Sequence, residues 1–396
     1  MPPRPSYATQ ATPKPGGTLR QSRIALVIGT RPEAIKLSPV VHALAALGEW
    51  PRLFITGQHP GLELAHHGLA AFDVVPLGCP GQSDPILHAD LVRSALKRAI
   101  GTAPQGLLPD LLIVQGDTSS ALGGALAAHE AGVPLAHVEA GLRSFDPTQP
   151  WPEEENRVTI DRLADLLFAP TSANAANLRR DRVGGAVHVT GNSGLDALAA
   201  VAGPLPLRRR RTWLPRRALN LLVTCHRRET WGVGIERIAA ALLVLASDGN
   251  AIDVVLHPNP DVTEAMWRLL GEHRSIRLIA PLSHPAMVKA MRRADLILSD
   301  SCGMQEEAPA LGVPLLILRE KTERPEGLAS GTMALVGTDT GRIIAAVRNL
   351  RRDRAALLAM AVPAMPFGDG RSAPRIASHC LAFLAERKMD WQSRTG

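Results

Sequence analysis

The sequence predicts an α/β protein built from two doubly wound domains. Short runs rich in Val, Ile and Leu alternate with helical patterns along nearly the whole chain, which is typical of parallel sheets covered by helices. A stretch rich in Pro and Arg at 201–218 interrupts this alternation once. The chain has 396 residues, more than one hydrophobic core of ordinary size can hold.

Twelve apolar runs are the predicted strands. Six precede the interruption, at 24–28, 53–56, 111–114, 135–138, 166–168 and 187–190. Six follow it, at 219–224, 252–256, 276–279, 296–298, 314–318 and 333–336. Between them, Ala/Leu-rich stretches such as 37–47, 119–131 and 235–246 have helical spacing. The pattern therefore predicts βαβ repetition in each half of the chain.

The predicted domain boundaries follow from these runs. Residues 1–22 are rich in Pro, Gly, Thr and Arg and have no apolar segment, so we expect a disordered leader and not a signal peptide. Residues 23–200 are the first domain, 201–218 the linker, and 219–370 the second domain. Residues 371–396 are expected to form a C-terminal helix.

Composition narrows the function classes. A net charge of +7 admits an anionic partner, but no basic face interleaved with aromatic residues indicates nucleic-acid binding. No run approaches the ~20 apolar residues that span a membrane. The four cysteines, Cys79, Cys225, Cys302 and Cys380, are far apart. Their spacing argues against a disulfide framework and against a zinc site, and it fits a reducing cytoplasm.

Polar residues follow the predicted strands, at the edge where open α/β sheets bind ligands. In the first half, the carboxylates Asp117 and Glu139 follow two strands. In the second half, a strand runs into His226, Arg227 and Arg228. The first half therefore suits chemistry on a neutral sugar, and the second half suits an anion.

A turn of small residues, Asp300-Ser301-Cys302-Gly303, separates a predicted strand from a helix. Such a turn directs backbone N–H groups and the helix dipole at an anion, although it is equally common in plain βα connections. Glu306 and Glu307 lie in the first turns of that helix. They either stabilise its dipole or accept hydrogen bonds from two ribose hydroxyls.

Taken together, these segments resemble the non-hydrolysing UDP-N-acetylglucosamine 2-epimerases. The matching segments occur in one order over about 24–375, and they are GTRPEAIK at 29–36, GDT at 116–118, HVEAGLR at 137–143, WPEEENR at 151–157, HRRE at 226–229, QEEAP at 305–309, TERPEG at 322–327 and GTD at 337–339. So many collinear matches make chance an implausible explanation.

The resemblance implies a glycosyltransferase-B-like architecture, in which two Rossmann-like domains face each other across a cleft. It also implies that the final helix, around 375–387, packs back on the first domain. Enzymes of this family are usually homodimers, and they need neither a metal nor a nicotinamide cofactor. Their substrate is a UDP-sugar, which is also a candidate allosteric effector.

The resemblance implies a reaction at C2 of the sugar. Loss of UDP from C1 makes the C2 proton acidic and leaves a glucal, and return of both groups completes the inversion. The catalytic set would be Lys36, Asp117, Glu139, Glu153 and His226, with the three carboxylates as acid and base. The substrate-binding set would be Arg31, His257, Ser301, Cys302, Gly303, Glu307 and Arg324. In that set Ser301 and Gly303 would hold phosphate, Glu307 the ribose, and Arg324 the diphosphate or the closing of the cleft.

The residues alone leave a structural role open at several of these positions. Glu153 has the pattern of a helix-start carboxylate, and Asp117 could cap the next helix. His226 could be a satisfied structural histidine. Arg324 could form a surface ion pair with a neighbouring glutamate.

Four positions depart from the family's usual pattern: Gln115, Cys225, Leu282 and Cys302. The departures are either neutral or the sign of a modified UDP-amino sugar as substrate. Three rival functions also stay open. They are a hydrolysing 2-epimerase, a glycosyltransferase of the same fold, and a catalytically silent sugar-nucleotide sensor.

Overall fold

The computed structural model describes residues 23–101, 108–205, 218–225 and 231–395. The chain divides into two compact units, unit 1 with Met1–Ala200 and Gly370–Gly396, and unit 2 with Val201–Asp369. The predicted leader at 1–22 and residues 206–217 of the predicted linker lie outside the described residues.

Unit 1 contains a sheet of seven parallel strands in the order β3-β2-β1-β4-β5-β6-β7. The strands are β1 (Ile24–Ile28), β2 (Arg52–Ile55), β3 (Asp73–Pro76), β4 (Leu111–Gln115), β5 (Leu135–Val138), β6 (Leu166–Ala169) and β7 (Ala186–Val189). The helices are α1 (Arg31–Ala46), α2 (Pro85–Gly101), α3 (Ser119–Glu130), α4 (Glu153–Leu163), α5 (Ser172–Arg180), α6 (Ser193–Ala202) and, at the end of the chain, α14 (Ser372–Thr395), with a short 3-10 helix at Leu64–His67.

Unit 2 contains a second parallel sheet, of six strands in the order β10-β9-β8-β11-β12-β13. The strands are β8 (Asn220–Thr224), β9 (Ala251–Val255), β10 (Ile276–Ile279), β11 (Leu296–Ser299), β12 (Leu315–Ile317) and β13 (Met333–Leu335). The helices are α7 (Val233–Ser247), α8 (Pro260–Leu270), α9 (His284–Arg293), α10 (Cys302–Leu311), α11 (Pro325–Ala329), α12 (Thr340–Arg352) and α13 (Arg354–Met360).

The strand order of both sheets confirms the predicted fold class, an α/β protein with two Rossmann-like sheets. In unit 2 the third strand comes first in the order, then the second, first, fourth, fifth and sixth, as in dinucleotide-binding folds. The order reverses between β1 and β4 in unit 1, and between β8 and β11 in unit 2. These switch points are where such sheets place their ligands.

The twelve predicted runs all lie on observed strands, and β3 is the strand that the sequence analysis missed. The inner strands are buried on both faces, as in β1, where all five residues are buried. β3 lies at the sheet edge and contains two exposed residues, Asp73 and Pro76. Its short, polar-ended sequence therefore lacks the continuous apolar run by which the others are recognised.

The final helix α14 packs against α1 within unit 1. Its buried side chains, which include Ile376 and Cys380, belong to the same apolar cluster as Ile24 of β1 and Leu37 of α1. Ser372 and Ala373 donate backbone hydrogen bonds to the Asp196 carboxylate, both at 3.0 Å. The helix is therefore an integral part of the unit 1 core.

Two features are absent from the described residues, 23–101, 108–205, 218–225 and 231–395. None of the helices in that part of the chain is long and apolar enough to cross a membrane. The same residues contain no group of three or more His, Cys, Asp or Glu side chains placed to hold a metal ion.

Candidate active site

The turn after β1 is built around Glu33. Thr30 caps α1, and its N–H donates to Glu33 Oε2 at 2.5 Å, as does the N–H of Gly29 at 2.8 Å. The Thr118 hydroxyl donates to Oε1 at 2.6 Å. Burial raises the pKa of Glu33, and these donors act in the opposite direction. Glu33 thus ties the start of α1 to the turn after β4.

Lys36 and Glu139 form a buried ion pair at the switch point of unit 1. Lys36 Nζ lies 2.5 Å from Glu139 Oε2, and Gln115 Nε2 donates to the same oxygen at 3.0 Å. Glu139 has a left-handed backbone with φ +74°. Its N–H and that of Ala140 both donate to the Phe168 carbonyl at 3.1 Å. The pair stabilises an ionised carboxylate directly after β5.

Asp117 follows β4 and pairs with Arg157 of α4. Arg157 Nε donates to Asp117 Oδ2 at 3.0 Å, and Nη2 contacts the same oxygen. Asn156 donates to the Asp117 carbonyl at 2.8 Å. Arg157 is buried, whereas the Asp117 side chain is 24% exposed. Asp117 therefore has a fixed position and an accessible carboxylate, as an acid–base group requires.

The three consecutive glutamates that begin α4 have different surroundings. Glu153 is half-buried, Glu154 is buried and Glu155 is exposed. Glu154 accepts from the N–H groups of Ser144 and Phe145 at 2.9 and 3.1 Å. It also accepts from Arg157 Nη1 at 2.7 Å. Glu154 thus holds the loop before α4, while Glu153 is the member that the resemblance assigns to catalysis.

His137 is a residue of this region to which the sequence analysis gave no role. It is fully buried in β5, with Nδ1 2.7 Å from Asp161 Oδ1 and Nε2 2.8 Å from the Gly116 carbonyl. Asp161 also pairs with Arg143 at 2.7 Å and accepts from the Gly141 N–H at 3.2 Å.

Both ring nitrogens of His137 face oxygen atoms. A carbonyl oxygen can only accept, so Nε2 carries a hydrogen. Asp161 is the second partner of the ring, through Nδ1, and is itself held by Arg143. This pair anchors the carbonyl that precedes Asp117. A histidine inside a continuous apolar strand was the signal in the sequence.

Arg31 lies at the first position of α1. It is half-buried, and desolvation lowers its pKa. Its N–H donates to His59 Nδ1 at 3.4 Å. Burial also lowers the pKa of His59, and electrostatic repulsion from Arg31 and from His88 lowers it further. Arg31 thus lies at the carboxyl end of β1, and its role in anion binding stays a prediction.

In unit 2, the turn after β11 lies at the switch point. Thr224 Oγ1 and Ser299 Oγ are 2.5 Å apart, and the Ser301 N–H donates to Ser299 Oγ at 3.0 Å. Ser301 is the N-cap of α10, with no hydrogen bond from its side chain to the helix. The helix begins at Cys302, so its dipole and the N–H groups of its first residues, Cys302 and Gly303, are directed at this turn.

The two glutamates of α10 face different partners. Glu307 Oε1 lies 2.9 Å from His284 Nε2 of α9. Glu306 Oε1 accepts from Arg324 Nε at 2.8 Å and from Nη2 at 2.6 Å. Arg324 Nη1 donates to Glu323 Oε1 at 2.5 Å. Arg324 is therefore buried in an ion-pair cluster, whereas the sequence analysis expected either a surface ion pair or a diphosphate contact.

Cys302 borders this cluster. Its thiol contacts Glu323 Oε1 at 3.0 Å, and Arg319 Nη1 lies 3.9 Å from its sulfur. Among the other departures, Cys225 is buried after β8, and desolvation followed by the charge of Asp300 raises its thiol pKa. Leu282 lines a cavity beside α9 together with Leu222 and Ile279.

His257 is half-buried after β9 and is held locally. Its Nδ1 accepts from the Asn259 N–H at 3.1 Å, and its carbonyl accepts from Thr263 Oγ1 at 2.7 Å. His226, which the sequence analysis placed in the catalytic set, lies outside the described residues.

The two units thus offer different chemistry. Unit 1 brings Lys36, Asp117 and Glu139 to the carboxyl ends of the adjacent strands β1, β4 and β5. Each carboxylate there has a cationic partner that stabilises its ionised form. Unit 2 offers a helix N-terminus with small residues at Ser301 and Gly303. That combination suits proton transfer in unit 1 and anion binding in unit 2.

Comparison with known proteins gives one consistent result. The model of the family described as UDP-N-acetylglucosamine 2-epimerase matches residues 48–381. The UDP-N-acetylglucosamine 2-epimerase of Salmonella typhimurium is 38% identical over 371 residues, which cover 89% of this chain and 97% of that protein.

Solved structures agree with the sequence comparison. The UDP-GlcNAc 2-epimerase of Neisseria meningitidis, bound to UDP-GlcNAc, has a TM-score of 0.82 at 33% identity and covers 91% of this chain and 99% of its own. The Methanocaldococcus jannaschii UDP-GlcNAc 2-epimerase, in complex with UDP-GlcNAc and UDP, has a TM-score of 0.77 at 30% identity, with coverage of 91% and 99%.

Proposed function

The chain belongs to the UDP-N-acetylglucosamine 2-epimerase family, and on that premise we propose that it interconverts UDP-N-acetylglucosamine and UDP-N-acetylmannosamine. The resemblance drawn from the sequence motifs is thereby confirmed at the level of the family. The observation that carries the proposal is the pair of carboxylates, Asp117 and Glu139, each beside a cation at the switch point of unit 1.

The proposed reaction begins with elimination. A carboxylate removes the proton from C2, and the electrons of the C2–H bond form the C1–C2 double bond of the glucal. The bond from C1 to the UDP oxygen breaks, and its electron pair leaves with UDP. Return of a proton to the opposite face of C2 and of UDP to C1 completes the inversion. No atom is lost, so the enzyme needs an acid, a base and an anion site.

We assign the proton transfers to Asp117, Glu139 and Glu153. The Asp117 carboxylate is accessible, because its side chain is 24% exposed, and Arg157 stabilises its ionised form. Lys36 would stabilise ionised Glu139, from which its ammonium group lies 2.5 Å away. Gln115 donates to the same Glu139 oxygen, which fixes the orientation of the carboxylate.

We assign UDP to the anion-binding residues. Ser301, Cys302 and Gly303 at the start of α10 would hold phosphate through N–H groups and the helix dipole. Glu307 would accept from the ribose. The remaining members of the substrate-binding set are Arg31, His257 and Arg324, with Arg324 acting from within its ion-pair cluster. His226 of the catalytic set would serve the leaving diphosphate.

Proton exchange with solvent tests the proposal. The protein is incubated with UDP-N-acetylglucosamine in deuterium oxide and followed by proton NMR. We expect loss of the C2 proton signal, appearance of the second epimer and retention of the UDP-sugar. Release of free sugar and UDP would instead indicate a hydrolysing epimerase. Absence of exchange would contradict both and would favour a transferase or a sensor.

A second candidate is epimerisation of a modified UDP-amino sugar. Gln115 favours it, because this departure from the family pattern directly contacts the Glu139 carboxylate. Cys225, Leu282 and Cys302 belong to unit 2, which we assign to the nucleotide. Turnover of UDP-N-acetylglucosamine is compared with that of 3-acetamido and uronic-acid analogues. Robust turnover of the plain substrate would exclude the altered preference.

The family resemblance also supports two proposals on assembly and regulation. We propose that the chain forms a homodimer, which sedimentation velocity at micromolar concentration would test. We propose further that the UDP-sugar acts as an effector. A sigmoidal rate curve with substrate concentration would support that role, and a hyperbolic curve would contradict it.

A further inference from the structure

His284 is the first residue of α9, and Glu307 lies in the second turn of α10. His284 Nε2 and Glu307 Oε1 are 2.9 Å apart, and the two side chains are only 11% and 12% exposed. A hydrogen bond this sheltered from water holds its partners more firmly than a surface contact does. The contact therefore defines the direction of the Glu307 carboxylate.

The direction of the proton in this contact follows from its chemistry. An ionised carboxylate only accepts, so Nε2 carries the hydrogen in the neutral ring and in the imidazolium alike. The hydrogen bond engages one lone pair of Oε1. It leaves Oε2 and the second lone pair of Oε1 to accept from the hydroxyls of a ligand.

The neighbouring glutamate shows that this orientation is specific to position 307. Glu306 also lies in α10, but its Oε1 accepts from Arg324 Nε and Nη2. Consecutive helical residues are about 100° apart around the axis. Glu306 is thus directed into the ion-pair cluster, and Glu307 is directed at the start of α9.

The start of α9 lies beside Glu307. Ser283 is the N-cap of this helix, and a proline lies within its first two positions. This helix start fixes the backbone from which the His284 side chain reaches the Glu307 carboxylate.

We propose that His284 is a positioning residue that orients Glu307 to accept a hydrogen bond from the ribose of the nucleotide, and so determines selection of ribonucleotides over 2′-deoxynucleotides. The inference rests on the proposed function only in assigning a uridine nucleotide to unit 2. A buried acceptor that loses its donor is left unsatisfied, so a site of this kind rejects a ligand that lacks the hydroxyl.

Binding of UDP and 2′-deoxy-UDP tests this inference, with isothermal titration calorimetry as the measurement. The wild-type chain should bind UDP about 10- to 100-fold more tightly than 2′-deoxy-UDP, the range for one hydrogen bond to a charged group. His284→Phe should reduce the ratio to below about 3-fold, because Glu307 then loses its orientation. His284→Gln should keep most of the discrimination, since its amide can donate from a similar position.

His273→Phe is the matched control, because His273 lies in unit 2 and makes a local contact with the Ser275 N–H at 3.2 Å. It should leave the ratio unchanged. If His284→Phe left the ratio of the two affinities unchanged, the inference would be overturned. An equal loss of affinity for both nucleotides would then indicate a merely structural role.

The same titration separates the inference from the proposed function. A chain that discriminates the two nucleotides through His284, yet exchanges no deuterium at C2 of the sugar, would retain the inference and lose the epimerase assignment. A wild-type chain that binds neither nucleotide would overturn the inference. Exchange at C2 with equal affinity for both nucleotides would leave the epimerase and remove the role of His284.

Discussion

Glu139 combines a buried ion pair with a left-handed backbone. A non-glycine residue at φ +74° costs about 1–3 kcal/mol and persists only where the surroundings impose it. Here the Phe168 carbonyl accepts from two consecutive N–H groups, of Glu139 and Ala140. Lys36 then fixes the side chain. Strain and charge pairing at one residue are typical of a functional position.

Removing either partner of this ion pair should slow proton transfer strongly. In Glu139→Gln and in Lys36→Met we expect kcat for epimerisation to fall by about 10²–10⁴-fold, the usual contribution of a positioned acid or base. Deuterium incorporation at C2 should fall in parallel. Calorimetric affinity for UDP should change little in Glu139→Gln, because we assign the nucleotide to unit 2.

Lys97→Met is the matched control for the lysine. Lys97 pairs with Glu130 at 2.8 Å, but its side chain is 56% exposed. An exposed pair contributes little, so kcat should stay within about twofold of wild type. Equal losses in Lys36→Met and Lys97→Met would contradict the assignment of Lys36.

His137 should affect both stability and rate. His137→Gln removes a buried ring that bridges Asp161 and the Gly116 carbonyl, so we expect the free energy of unfolding to fall by about 2–4 kcal/mol. The turn that bears Asp117 then loosens, and kcat should fall as well. Urea unfolding and steady-state rates measure the two effects.

His129→Gln is the control, since His129 is exposed at the end of α3. A surface change of this type should stay within about 0.5 kcal/mol of wild type. If His137→Gln were as stable and as active as His129→Gln, the buried pair would have no positioning role.

At the scale of elements, the first turn of α4 separates three glutamates of identical chemistry. Glu153→Gln should lower kcat by about 10²-fold or more with little loss of stability. Glu154→Gln should lower stability by about 2–4 kcal/mol, because Arg157 and two backbone N–H groups lose a charged acceptor. Glu155→Gln should change the free energy of unfolding, and the activation free energy for turnover, by no more than about 0.5 kcal/mol.

The three variants serve as controls for one another, because each changes one carboxylate to an amide within a single helical turn. Thermal unfolding and the NMR exchange assay are run on all of them. A loss of turnover confined to Glu154→Gln would move the catalytic role from Glu153 to its neighbour. Indistinguishable variants would contradict all three assignments.

This turn also shows where prediction from the sequence stops. Strands such as β1 and β5 were predictable because burial on both faces requires continuous apolar runs. The contacts of Glu154 were not, because they depend on a loop that folds back onto this residue. The family motif identified Asp117 and Glu139, but only coordinates reveal the contacts of His137 and His284.

At the scale of the molecule, we expect acidic pH to lower the stability of unit 1. Four of its histidines, His42, His59, His88 and His188, have pKa values lowered by burial. The unfolded chain therefore binds protons before the folded chain as the pH falls below about 6.5. The stability that these groups contribute is complete above that pH and is lost as the pH falls through their folded pKa values.

We expect the free energy of unfolding of unit 1 to decrease between about pH 7 and pH 5. Hydrogen exchange of β1 and β4 amides, corrected for the intrinsic rate at each pH, measures it. His88→Asn should reduce the slope, since His88 is buried and its ring pKa is lowered. A slope that persists unchanged in a variant lacking all four histidines would contradict this explanation.

The return of α14 to unit 1 has a consequence for synthesis on the ribosome. Unit 2 is one continuous stretch, whereas unit 1 is completed only by residues after Asp369. At ~5–20 residues per second, α14 emerges about ten to thirty seconds after the rest of unit 1. Until then, the apolar surface of α1 around Leu37 lacks its cover of Ile376 and Cys380. The nascent first unit must therefore wait, with part of its core open to chaperones, for the last helix of the chain to be translated.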